Sequence, residues 1–154
     1  IGLMIKAGAI LISYGVSIWN PEGAKNLYMG QNLYNLRQYN FFHYTLMVSF
    51  MVALLVLEAY IAYLVIRVLS RIKLANPFTF EVSGLIQKIS YFIFGTWIMG
   101  MLYNAHTIWL LKRIAGFQEN MISGEFIFLA GVVFVFSQIF KKGVELQSEN
   151  ELTV

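Results

Sequence analysis

The amino-acid sequence predicts an all-α fold, an integral membrane four-helix bundle with a short interfacial helix ahead of its third span. Three observations lead there. Apolar residues make up 58% of the 154 and charged ones only 12%, with a mean hydropathy of +0.66, so polar surface is too scarce for a water-soluble globule. Uncharged runs recur at lengths near the ~20 residues that a helix needs to cross the hydrocarbon. Lysines and arginines gather at the ends of those runs, where membrane proteins keep them.

A chain of 154 residues fits one membrane domain, 1–154, with spans near 1–19, 41–66, 89–111 and 122–140 and a tail at 141–154. The first span, Ile1 to Trp19, is interrupted only by Lys6 and is closed by Asn20 and Pro21. It begins inside an apolar run, so further residues are expected upstream. The second, Phe41 to Ile66, lies between Arg37 and Arg67 and carries a single charge, Glu58.

The connection that follows is organised. Asn76 and Pro77 end the preceding helix, Thr79 can cap the next, and Glu81 in its first turn suits the helix dipole. Phe78, Val82, Leu85, Ile86 and Ile89 fall on one helical stripe, which predicts an interfacial helix leading into span three. That third span, Ile89 to Leu111, has 23 uncharged residues between Lys88 and Lys112. The fourth is short: Phe126 to Phe140 gives fifteen, so it must start near Met121 or let Glu125 and Lys141 reach the headgroups.

Orientation follows from the basic residues of the short loops. The middle loop and tail hold six (Arg67, Arg71, Lys73, Lys88, Lys141, Lys142) against four on the other side (Lys25, Arg37, Lys112, Arg113). Both termini are therefore expected in the cytoplasm. The net charge of +3 is spread over span ends, which points to topology and away from direct nucleic-acid binding.

Inside the spans Glu58 is the costliest residue, since an ionised carboxylate in hydrocarbon is unfavourable by roughly 3 kcal/mol or more without a partner or a proton. Lys6 is its candidate partner. At about 1.5 Å per residue, Lys6 lies about 20 Å below Trp19 and Glu58 about 24 Å below Phe42. The pair reads either as an ion pair or proton site between the first two spans, or as a polar contact that only pins helices together near the inner headgroups.

His43 and His106, the sole histidines, fall near the outer surface on spans two and three. They could meet as a two-histidine metal or pH-sensing site. No third ligand accompanies them and the chain has no Asp or Cys, so no metal is expected, and hydrogen bonding to neighbours such as Asn104 or Tyr103 is the plainer reading. Ala9, Ser13 and Ser17, with Gly8 and Gly15, would let the first helix approach others closely, either within the bundle or in a homo-oligomer.

The tail, after Lys141 and Lys142, carries Glu145, Glu149 and Glu151 among Val144, Leu146, Leu152 and Val154. It is either a frayed end or a partner-binding peptide. A cytoplasmic partner would meet Asn76, Pro77, Phe78, Thr79 and Glu81 of the loop, with Glu145, Leu146, Glu149, Glu151 and Leu152 of the tail.

The stretches LANPFTFEV (Leu74 to Val82) and IFKKGVELQSENELTV (Ile139 to Val154), with the order of spans, resemble the small bacterial four-helix membrane proteins of domain-of-unknown-function family 2975. The resemblance implies residence in the bacterial inner membrane. Members are often encoded beside a small Cro-type helix-turn-helix regulator, which implies a protein that holds or controls a DNA-binding partner. No catalytic residues come with it.

The leading expectation is thus a non-enzymatic regulatory membrane protein engaging such a regulator. The alternative is a small transporter, channel or accessory subunit of a larger membrane complex, using Lys6 and Glu58. A nucleotide-binding glycine loop, a metal-hydrolase helix and a Ser-His-Asp set are all missing, so neither an enzyme nor a cofactor is expected.

Overall fold

The computed structural model describes residues 1–72, 79–117, 121 and 125–151, with the backbone alone at 125–128, 130–131 and 150–151. Among these residues every regular element is helical: α1 (Gly2–Trp19), a 3₁₀ turn (Pro21–Lys25), α2 (Tyr34–Tyr39), α3 (Phe41–Arg71), α4 (Phe80–Leu111) and α5 (Glu125–Glu151). Three of them, α1, α3 and α4, are long and apolar enough to cross a membrane. They also turn large apolar side chains outward. On α1, Met4, Ile5, Leu11, Ile12 and Val16 are all half-exposed or more, a surface suited to lipid tails.

The chain divides into two compact units. The first comprises Ile1–Ala59 with Ile98–Ile122. Here α1 ends where Asn20 turns extended, and the Asn20 side chain then accepts from the Glu22 N–H to start the 3₁₀ turn, with Pro21 in the first-turn position that tolerates its missing N–H. That turn lies directly on α1. A Cβ at Gly23 would sit 3.0 Å from the Ser17 nitrogen, so any larger residue would have to push the α1 backbone back by a few tenths of an ångström. By contrast, a Cβ on Gly8 or Gly15 meets nothing within 4 Å among the described residues of the chain.

Residues 20–40 are far more than a polar connection. Ala24, Leu27, Leu33 and Leu36 are buried in one cluster with Ile10 of α1, Met47 and Leu54 of α3, and Tyr103 and Leu110 of α4. Each such leucine contributes about 1.5–3 kcal/mol by leaving water. Buried hydroxyls are satisfied across helices: Ser17 Oγ meets the Tyr44 hydroxyl at 2.8 Å, and the Tyr14 hydroxyl meets Thr45 Oγ1 at 3.0 Å. Arg37 closes the end of α1, its Nε donating to the Ser17 carbonyl (2.8 Å) and its Nη2 to that of Ile18 (3.1 Å).

The second unit comprises Tyr60–Trp97 with Ser123–Val154. Leu64 and Val68 of α3 pack on Val82, Leu85, Ile89 and Ile93 of α4, with Val133 and Phe140 of α5 against them. The predicted interfacial stripe is therefore the first turns of α4, continuous with the apolar run, and its side chains Val82, Leu85 and Ile89 are covered by protein. Charge marks where lipid contact ends, whereas helix hydrogen bonding runs on past it; at about 48 Å, a helix of this length exceeds the ~30 Å hydrocarbon. The same holds for α3, which reaches Arg71 instead of Ile66. It holds for α5 too, which carries the expected tail on as helix to Glu151, supported by Lys142 paired with Glu145 at 3.2 Å and by the burial of Val144.

Candidate functional site

The first unit holds two polar features. One is built by the caps of α3. Asn40 Oδ1 accepts from the Phe42 and His43 N–H groups (2.8 and 3.2 Å), which fixes the entry of α3 and stands His43 in its first turn. His43 Nδ1 lies 3.2 Å from His106 Nε2 of α4. Around them the Trp109 ring is 4.8 Å from His43, and the Arg113 guanidinium lies over Trp109 at 3.9 Å.

His106 Nδ1 is buried without a hydrogen-bond partner among the described residues. His43 Nδ1 and His106 Nε2 can share one proton between them, donor and acceptor being set by the tautomer. The facing nitrogens then satisfy each other. No group of three His, Cys, Asp or Glu able to hold a metal occurs among the described residues. Asn104 is half-buried on α4; two residues before His106, it lies off the histidine face.

The other feature surrounds Lys6. A pocket of about 770 Å³ is lined by Lys6 of α1, by Tyr28, Gln31 and Asn32 of the 20–40 segment, by Asn35 of α2 and by Phe117. Its rim uses backbone in the left-handed region, at Met29 (φ 47°), Gly30 (φ 87°) and Gly116 (φ 72°). The turn is closed by Gln31 N–H donating to the Tyr28 carbonyl and by Asn26 Oδ1 accepting from Gly30 N–H. Lys6 points its ammonium at the Tyr28 ring, 5.7 Å from the centroid. Glu58 lies within the electrostatic reach of Lys6, yet the ion pairs among the described residues are Lys25–Glu22, Arg71–Glu81 and Lys142–Glu145. Beside the pocket segment, the hydrogen bond that the exposed Lys25 ammonium donates to the Glu22 carboxylate holds it above its ordinary range.

Of the residues expected to meet a partner, Thr79 caps α4, its Oγ1 accepting from Val82 N–H at 3.3 Å. Glu81 pairs with Arg71 at 3.3 Å, joining the two helices that flank the middle loop. Leu146 and Glu149 are exposed on α5, while Glu145 is taken by Lys142. Asn76, Pro77, Phe78 and Leu152 lie outside the described residues, as does the Glu151 side chain. Sequence reasoning missed the pocket: its amides stand in a segment with no periodicity, and the only cue was the density of Asn and Gln between Asn26 and Asn40.

The family described as "Protein of unknown function (DUF2975)" matches residues 19–154. The chain belongs to that family. No curated protein and no solved structure matches it. The DUF2975 match spans the 20–40 segment, both histidines and α5, so every feature above except α1 with Lys6 lies inside the matched region.

Proposed function

We propose that this DUF2975 protein is a multi-pass protein of the bacterial inner membrane, a non-enzymatic regulator that engages a small helix-turn-helix transcription factor from its cytoplasmic side. In this reading the whole chain forms one membrane domain, α5 supplies a fourth span, and both termini face the cytoplasm. The observation that carries it is the continuation of α5 beyond its apolar run: after Lys142 the helix bears Glu145, Glu149 and Glu151 and no cation up to its end. A helical acidic surface with Leu146 exposed beside it complements a basic DNA-binding protein in charge and offers it an apolar anchor. The Arg71–Glu81 pair supports the same face by tying the ends of the middle loop.

Co-purification tests this. The full chain should retain the regulator encoded beside it, and a chain lacking residues 143–154 should lose at least about tenfold of that retention, the worth of ~1.4 kcal/mol. Equal recovery by both chains, or none by either, removes the reading.

A second reading starts from Glu58, the one charged residue in the apolar run of α3, with Lys6 on α1. It makes the protein an ion-coupled transporter, channel or accessory subunit. Glu58→Gln should then change proton or cation flux in reconstituted vesicles; identical traces for both proteins would dismiss it.

A further inference from the structure

We propose that the pocket around Lys6 binds an organic phosphate, the headgroup of an anionic phospholipid or a soluble phosphate ester. Four observations carry this beyond the regulatory reading, and none depends on it. The volume, about 770 Å³, is that of a small-molecule site. Lys6 supplies the one formal charge among the lining residues, and its ammonium has no carboxylate within 4.0 Å among the described residues.

The surrounding groups are set to donate. Asn32 spends its Oδ1 on the Tyr34 N–H (3.0 Å), which leaves its Nδ2 as a donor with no partner among the described residues. Asn35 brings its Nδ2 up to Gly116, 3.6 Å from where a Cβ would stand. Tyr28, also a lining residue, carries a hydroxyl that can donate. A point cation with several N–H and O–H donors offers more hydrogen bonds than the two oxygens of a carboxylate can use, whereas a phosphate has acceptors on every side.

The fourth observation is the backbone. Met29, a residue with a side chain, is held in the left-handed region, which costs roughly 1–2 kcal/mol, so the turn that carries Tyr28 and Gln31 to Lys6 is maintained against local preference. Phe117 and Leu111 give the same pocket an apolar wall for glycerol or acyl carbons.

Full-length protein reconstituted into phosphatidylcholine nanodiscs tests the site. In one arm glycerol phosphate is titrated in solution, with glycerol at matched ionic strength as control; in the other, phosphatidylglycerol replaces part of the bilayer. Thermal unfolding should show stabilisation of the native chain in at least one arm and none by glycerol. Lys6→Gln and Asn35→Asp should each weaken the apparent affinity by about tenfold or more, the loss of a charge-assisted contact or the introduction of a like charge. Asn35 is exposed, so its variant keeps the test valid if Lys6→Gln does not fold. A response to glycerol phosphate identifies a soluble ester, and a response to phosphatidylglycerol alone identifies the headgroup. No stabilisation in either arm, or equal stabilisation of native and variant proteins, overturns the assignment.

Discussion

Leu36→Ala will destabilise the folded protein by about 2–5 kcal/mol, the range for emptying a fully buried leucine site. Leu36 is 0% exposed although it lies on a six-residue helix between two connections, where a surface loop would be expected. It sits in the cluster with Leu27, Leu33, Tyr44 and Leu110, so its loss opens a cavity where α2, α3 and α4 meet. Gln38, two residues on and exposed, is the control: Gln38→Ala should stay within about 0.5 kcal/mol. Thermal unfolding in detergent compares them. Matching midpoints for the two variants would mean that residues 20–40 merely rest on the helices.

That contrast also shows what the residues disclosed by themselves. Composition and charge-free runs were enough to mark α1, α3 and α4 as long and apolar enough to cross a membrane, because the cost of burying charge in hydrocarbon acts on each side chain independently of the fold. Helix periodicity likewise exposed the stripe through Val82, Leu85 and Ile89. Periodicity says which face is apolar and is silent on whether lipid or protein covers it, and here Leu64 and Val68 do.

That the two histidines could meet followed from depth along a helix being additive, since residues near adjoining ends of α3 and α4 share a level; His43 and His106 lie 3.2 Å apart, although bonding to neighbours such as Asn104 or Tyr103 was the plainer expectation. The same arithmetic placed Lys6 beside Glu58. It could not foresee that residues 27–32 fold back along α1 and present Tyr28 to the Lys6 ammonium, since Leu27 and Leu33 are buried by long-range packing that leaves no repeat in the sequence. Asn20 and Pro21 signalled the end of α1, but such residues announce a change of direction without its destination.

Arg37 separates two roles that one residue can combine. In the sequence it counts as a positive charge at a span boundary; in the fold its guanidinium forks onto the last carbonyls of α1, donating to Ser17 and Ile18, and lies over the Phe41 ring at 5.7 Å. Those carbonyls have no partner within the helix, and a cation there also suits the negative end of its dipole. Arg37→Gln should cost about 2–3 kcal/mol, below the full worth of two charge-assisted bonds because the Ile18 contact is exposed. It should also speed hydrogen exchange at the Asn20 N–H, which is bonded to the Val16 carbonyl at the frayed end of α1. Arg37→Lys keeps the charge and loses the fork, since an ammonium cannot hold both carbonyls in the geometry of a planar guanidinium. It should recover less than half of the lost stability. Full recovery with lysine would assign Arg37 to boundary charge alone and leave the end of α1 held by Asn20 and Gly23.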